Sequence, residues 1–488
     1  MKWKHHQLSQ PLTLFGITRL QVVFVTFIGQ GVAHFNSIGL DHIEISIALL
    51  FGPLCGAFIQ PLFGTWSDQC QSRWGRRKPF IIGGTILLNA SLLSLAWAES
   101  ITGTIASALV DNTYHTWLIT TVMTATLSMW VAVQAVQIGL RTLITDGCTP
   151  SEQASANAWA SAYSNLAATM ANLAAYVDLL PQSWDSDAQG FTVFMKMSLA
   201  ATLMLTATVT ISCLTVNEQK FLPPQHATWK RSSHTTAVRV IMRLLLEPSQ
   251  IRTIYFVQFF AWLAWFPLLY YMVSYVKEVY ATERRDQLKF QTSVQIDSKI
   301  GSLSLLAFSA VGLVGAIGQP QLHKVSERIS IRRMWIVSQG ILGLCLLSTL
   351  IISSSTGTIA LFSVVGFSWA SSSWIPFALL GVEISCYNPS PIKAVNLIQT
   401  LDEMDGEKQG EGENEDSIGE DISGLVYGLH NFAICLPQML MSLAIGIQSL
   451  ISQSTDETDE KVNIVYVLRI GGCFALIAMY LARGIKDA

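Results

Sequence analysis

Apolar stretches of about twenty residues recur along this chain between short polar breaks, and no other feature restricts its fold so severely. They lie at roughly 12–34, 44–65, 79–98, 116–140, 157–180, 191–216, 251–276, 300–322, 332–354, 357–382, 423–452 and 462–482. A stretch of that length spans the hydrocarbon core of a bilayer as an α-helix. In lipid every backbone N–H and C=O must be satisfied within the protein, which leaves helices and closed barrels as the spanning structures. Twelve crossings at roughly 20 residues each use about 240 positions, close to the apolar content of a 488-residue chain that is 51% hydrophobic. Only 13% of residues are charged, where a soluble domain carries roughly 25%. The expectation is an all-α membrane protein of twelve transmembrane helices. The first stretch is too long for a cleaved signal peptide and the second follows too soon, so it is expected to remain as helix one.

A net charge of -3 with no lysine-rich face excludes a nucleic-acid partner. The eight cysteines are scattered singly, without a CxxC pair, and read as small apolar fillers rather than a disulfide or zinc framework. No metal and no cofactor is expected.

Cytoplasmic loops of membrane proteins are enriched in Lys and Arg. With both termini cytoplasmic, the inside segments hold 21 of the 30 basic residues, the outside loops six, and predicted helices the other three. The inside set counts Arg141 as a loop residue. An even helix number with both ends inside resembles the major facilitator arrangement of two six-helix halves. The expected division is an N-terminal half over 1–216, a cytoplasmic linker over 217–250, and a C-terminal half over 251–488 with an acidic cytoplasmic loop at 383–422. Within that loop, residues 402–421 hold ten acids against Lys408, a composition that cannot form a core.

The loop after helix two carries Asp68, then Arg73, Arg76, Arg77 and Lys78. In the second half, Gly318 and Pro320 precede Lys324, Arg328, Arg332 and Arg333, so the basic cluster recurs and the aspartate does not. An arginine fork grips a carboxylate bidentately, so such a loop latches one access state and releases it in the other. The competing reading is a set of positive-inside anchors. Gating is assigned to Asp68, Arg73, Arg76 and Arg77, and anchoring to the second loop.

The run from Gly52-Pro53 through Gln60-Pro61, Ser67-Asp68, Arg73, Gly75-Arg76-Arg77 and Pro79-Phe80 resembles the signature of sucrose and α-glucoside transporters. That family belongs to the glycoside-pentoside-hexuronide:cation symporter group of the major facilitators. The similarity continues through Gln137, Arg141, Asp146, Asn157-Ala158-Trp159 and Tyr176-Val177-Asp178. Later it takes in Gln258, Trp262, Trp265-Phe266-Pro267, Tyr271, Trp369, Trp374, Glu383, His430-Asn431 and Pro437-Gln438. The texture is most similar to fungal members. The resemblance implies alternating-access sugar:proton symport, in the plasma membrane rather than the vacuolar one. A disaccharide or glucoside is the expected partner, with protons where transport is coupled.

A disaccharide presents hydroxyls and flat C–H patches, so its pocket needs amides and aromatic faces rather than nucleophiles or metals. The expected substrate set is Gln137, Gln258, Trp262, Trp265, Tyr271, Trp369, Trp374, His430, Asn431 and Gln438. Aromatic belts and helix-to-helix hydrogen bonds are the competing readings. Sequence motifs of an integral-membrane enzyme are absent. The alternatives are an uncoupled facilitator and a sugar sensor that binds without translocating.

Coupling is where the chain departs from the family pattern. Alignment on Gly29 and Gly31 puts Phe27 where fungal relatives carry a glutamate. Alignment on Arg141 and Asp146 puts Trp130 and Gln134 where helix four has aspartate and asparagine, and Ala162 replaces an arginine in helix five. Titratable groups near the membrane centre are costly and rarely incidental. The remaining proton-coupling candidates are Asp146, Asp178, Glu383 and His430. The orientation is open to direct test: single cysteines between Lys220 and Arg243 are expected to react only with reagent on the cytoplasmic side, and external labelling would overturn the topology.

Overall fold

The computed structural model describes residues 23–24, 26–27, 31–109, 114–177, 193–215, 218, 249–285, 293–325, 329–387, 423–454 and 460–486. All regular structure among them is helical. The elements are α1 (Val32–Ser37), α2 (His42–Leu54), a π-helical turn (Cys55–Ile59), α3 (Gln60–Asp68), α4 (Lys78–Ala96), α5 (Ala98–Leu109), α6 (Tyr114–Gly147), α7 (Pro150–Tyr176) and α8 (Val193–Thr215). They continue as α9 (Gln250–Arg285), α10 (Ser293–Val325), α11 (Ile331–Ser348), α12 (Ser355–Tyr387), α13 (Ser423–Ser454) and α14 (Glu460–Ala482). Where their residues are described, the twelve apolar stretches are largely helix, the ninth ending at Ser348 before the non-helical residues 349–354. Several helices overrun their hydrophobic windows, α6 by seven residues past 140, because helix continues where backbone groups need partners even after apolarity ends. Arg141 is thereby a helix residue rather than a loop residue. The span of α12 to Tyr387 likewise puts Glu383 on helix, while residues 388–422 and the stretch 402–421 lie outside the described residues.

Helix starts are written locally. Asp41 and Glu44 form a capping box at α2, Thr149 and Glu152 another at α7 ahead of Pro150, and the Ser330 hydroxyl accepts the Arg333 N–H at α11. Such caps satisfy N–H groups that no helix can pair by itself.

Among the described residues, eight helical segments are long and apolar enough to cross a membrane. The α7 helix is not one of them, and the reason is a polar stripe. Gln153, Asn157, Ser161, Asn165 and Thr169 recur every four residues, all buried, so they share one face. That face packs against α10 and α12. The Ser161 and Ser373 hydroxyls are bonded across the seam, and Asn172 donates to Leu305 O at 3.3 Å and Ser309 Oγ at 3.1 Å. Polar contacts of this kind join helices where lipid supplies no hydrophobic drive.

Two large apolar cores result. One gathers residues from Val23 to Val209, including Phe27, Leu88 and Trp130. The other runs from Ile251 to Ile485 around Trp265, Trp335 and Trp374 and also takes in Ile138 and Ala158. Two seams join them: α2 and α3 against α13, and α7 against α10 and α12. The ends of α3, α6, α10 and α12 and the starts of α4, α7, α11 and α13 gather at one end of the bundle, called here the basic end.

Inside the second core, Gln319 is a polar tie. Its Oε1 accepts Ser371 Oγ and Trp374 Nε1, both at 3.0 Å, and its Nε2 donates to Phe367 O at 2.8 Å. Gln319→Leu strands three groups whose partners vanish. We expect a loss of roughly 1–3 kcal/mol, read as a lower Tm of the detergent-solubilised protein, with Trp374→Phe lowering it less.

Candidate functional site

At the basic end a network of charge crosses from one core to the other. Arg77 is fully buried. Its Nη1 donates to Asp68 Oδ1 at 2.6 Å and Ser67 Oγ at 2.7 Å, its Nε to Asp146 Oδ2 at 2.9 Å, and its Nη2 to Ser423 Oγ at 2.7 Å. Arg76 reaches the same Asp146 oxygen at 3.0 Å. Asp68 in turn accepts the N–H groups of Gly424 (3.0 Å) and Leu425 (3.1 Å), buried donors at the start of α13 that the helix itself cannot pair. A carboxylate there is favoured by the unpaired N–H groups and by the helix dipole.

The approach of the two helices sets this geometry. A Cβ on Gly64 would fall on the Gly424 carbonyl, and one on Gly424 would fall on the Gly64 carbonyl. Glycine on both sides lets α3 and α13 close backbone to backbone. Arg73 stands apart, exposed, with its guanidinium 5.8 Å over the Trp74 ring. In the second loop, Arg332 donates to Ile485 O at 3.1 Å within its own half.

Deeper in the bundle a second cluster forms where α6, α9, α12 and α13 meet. Gln137 and Arg141 lie one turn apart on α6 and are half-buried. Neither side chain has a hydrogen-bond or ion-pair partner among the described residues. The Arg141 guanidinium stacks 3.4 Å over the Phe377 ring, which offers cation–π attraction but leaves its N–H donors open. Phe377 meets His430 edge-on at 4.8 Å, and His430 Nε2 lies 3.1 Å from Gln258 Nε2. With the amide donating, the imidazole accepts at Nε2 and carries its proton on Nδ1. The Gln258 oxygen is buried without a partner. Below them, Tyr427 bonds Thr145 Oγ1 at 2.7 Å, one residue from Asp146.

Further along α9 and α12, the helices that carry Gln258 and Phe377, stands a group of tryptophans. Trp369 is 5.1 Å from Trp265 and 6.2 Å from Trp262, both edge-to-face, and the rings of Trp262 and Trp369 are half-buried. Trp265 Nε1 is buried without a partner. The arrangement offers open donors and acceptors next to aromatic faces, as a hydroxylated ligand requires.

The other sequence-selected residues sit differently. Trp374 is committed to Gln319 inside the second core. Asn431 donates to Gly56 O at 2.8 Å across the first seam. Gln438 bonds its own helix at Ile434 O, 3.2 Å, and Tyr271 is half-buried on α9. Asp146 joins the basic-end network, Glu383 lies half-buried on α12, and Asp178 falls outside the described residues. Phe27 and Trp130 pack edge-to-face at 5.6 Å, and Ala162 packs with Ala316 and Ala370.

Sequence reasoning passed over Arg141, Phe377, Tyr427, Ser423 and Glu218 as site residues. Arg141 carries only a weak signal in the sequence, a lone arginine directly after the stretch ending at 140; its place six residues inside the end of α6 is seen in the fold alone. Ser423 and Tyr427 carried none, because their roles arise from contact between distant segments.

Two helical cores, joined along two seams and held by charge at one end, define an all-α protein of the membrane-embedded kind. The chain belongs to the Major Facilitator Superfamily, whose family model matches residues 14–389. Over 98% of its length it is 26% identical to a protein called general alpha-glucoside permease from Schizosaccharomyces pombe, covering 92% of that protein. It is 22% identical to sucrose transport protein SUT1 of Oryza sativa subsp. japonica, over 84% of this chain and 76% of that one. Among solved structures it is similar to a bacterial homologue of the iron transporter ferroportin in an outward-facing state (TM-score 0.61) and to FucP in the outward conformation (TM-score 0.60). Each is 13% identical over 99% of both chains, a likeness of fold.

The basic-end network makes a specific demand. Asp68→Asn keeps the shape but weakens charge-assisted bonds worth about 1.5–3 kcal/mol each. We expect exchange across the membrane to slow by roughly tenfold or more, with equilibrium ligand affinity within about twofold. A large loss of affinity at normal turnover would contradict the gating role.

Proposed function

We propose that this protein carries an α-glucoside, sucrose or a close relative, across a membrane by alternating access, with the halves 1–216 and 251–488 as the moving bodies and the basic end on the cytoplasmic side. The observation that carries this reading is the pair of unpartnered side chains Gln137 and Arg141 in the cluster with Phe377, His430 and Gln258, whose helices α9 and α12 also carry Trp262 and Trp369; we read these groups together as the lining of a sugar chamber. A planar guanidinium bonds neighbouring hydroxyls with a fixed fork, and tryptophan faces take the C–H patches of a sugar ring. The alpha-glucoside permease and sucrose transport protein among its relatives support the same substrate class.

Labelled maltose and sucrose, offered to proteoliposomes holding the purified chain, test it. Saturable filling of the lumen is expected, and binding without filling would turn the reading to a sensor. Arg141→Lys, which keeps the charge and loses the fork, is expected to raise the half-saturating sugar concentration by about tenfold.

A second reading, uncoupled facilitation, is favoured by one observation. At Phe27 and Trp130 two aromatic rings pack against each other, with Phe24 on the same indole at 5.7 Å. Of the coupling candidates with described positions, His430 is the one in the chamber. Sugar-driven acidification of the lumen, reported by an internal pH dye, separates the readings: symport through His430 requires acidification that His430→Gln abolishes, and facilitation requires none in either protein.

A further inference from the structure

Glu218 lies three residues past the end of α8, at the start of the segment that joins the two halves. Its Oε1 accepts the backbone N–H groups of Arg76 at 2.9 Å and Arg77 at 2.6 Å, and its Oε2 accepts that of Lys78 at 3.3 Å. Lys78 is the first residue of the 19-residue helix α4, Arg77 its N-cap and Arg76 the residue before it, and a helix cannot pair its own first N–H groups. A carboxylate is also the charge the helix start favours. The residue just before, Gly75, has φ +107, a conformation that side chains with a Cβ avoid. A Cβ there would also fall on the Glu218 carboxylate.

The backbone that Glu218 holds is the one from which the basic-end network is built. Arg77 is simultaneously its backbone ligand and, through its side chain, the partner of Asp68, Asp146 and Ser423. Arg76 is held in the same way and reaches Asp146. The two guanidinium groups can meet three elements at once only if the turn at 75–78 keeps its position, since a shift of 1 Å lengthens bonds of 2.6–3.0 Å out of hydrogen-bond range for several partners together.

We propose that Glu218 is the positioning residue of the gate, so that the turn at 75–78 and the charge network move as one unit. It touches neither the chamber nor its tryptophans, and it acts by fixing where Arg76 and Arg77 stand. The proposal rests on the reading of the basic end as the gate of a carrier.

The test reads the gate directly in the full-length protein, without a sugar. Spin labels at Gln71→Cys and Gln321→Cys, in a background free of native cysteines, report the separation of the two halves at the basic end. In the parent protein the short separation should dominate. Glu218→Ala should shift the ratio of open to closed populations by at least about tenfold, the scale of a lost bond to a charged group. Glu218→Gln, which keeps an acceptor oxygen and loses the charge, should fall between them, and Gly75→Ala should shift the ratio the same way. Because Glu218 acts through the network, Glu218→Ala combined with Asp68→Asn should open the end no further than Asp68→Asn alone. A helix cap of purely structural importance would lower Tm and leave the distances unchanged. Distances unchanged in both Glu218 variants while Asp68→Asn opens the end would overturn the proposal and leave the gate standing. Additive opening would overturn it as well. If Asp68→Asn itself moves nothing, the gate reading falls and takes the proposal with it.

Discussion

The arrangement at the basic end depends on one buried guanidinium. Arg77 has no exposed surface, yet its donors reach two carboxylates and two hydroxyls drawn from three separate elements. A buried charge is tolerated only when paired and hydrogen-bonded, so the position of every partner is tied to the others. On the proposed alternating-access reading, the same condition makes the network a switch. Separation of α3 from α13 exposes the partners to water together, and partial opening would strand charges in a low-dielectric setting.

The seams carry that switch without glueing the halves shut. The first has glycine against backbone at the basic end, then a π-helical turn whose geometry the sequence dictates. Gln60 N–H bonds back to Cys55 O in the five-residue register, and the next donor in that register would be Pro61, which has none. The Gly56 carbonyl is therefore free to accept Asn431. A break in one helix is thus answered by a side chain from the opposite half, and the pair forms only when the seam is closed. On the second seam the stripe from Gln153 to Thr169 does similar work with modest bonds. Polar helix contacts in membranes average well under a strong hydrogen bond, which suits surfaces that part repeatedly.

Helix α13 unites the two sites. Ser423, Gly424 and Leu425 face the charge network, Tyr427 bonds Thr145 a turn further on, and His430 sits in the chamber after that. On the same reading, movement of this helix relative to α3 and α6 changes the proposed chamber and gate together. A ligand biases the gate only through contacts that differ between open and closed states, and α13 is where such differences converge.

Periodicity and apolarity along the sequence determined the helices, since a twenty-residue apolar stretch in lipid has no other way to satisfy its backbone. The latch motif was legible too, because Asp68 and the arginines at 76 and 77 are close in the chain. What the tertiary structure decided is who answers them. Asp146, Ser423 and Glu218 lie 69, 346 and 141 residues from Arg77, and no local rule relates residues across such separations. The chamber shows the same division. Glutamines, tryptophans and a histidine within helices announced polar and aromatic work, yet packing alone committed Trp374 to Gln319 and Asn431 to Gly56 while leaving Gln137 and Arg141 open. A side chain's chemistry is written in its own residue; whether its bonds are already taken is written in its neighbours, and those are chosen by the fold.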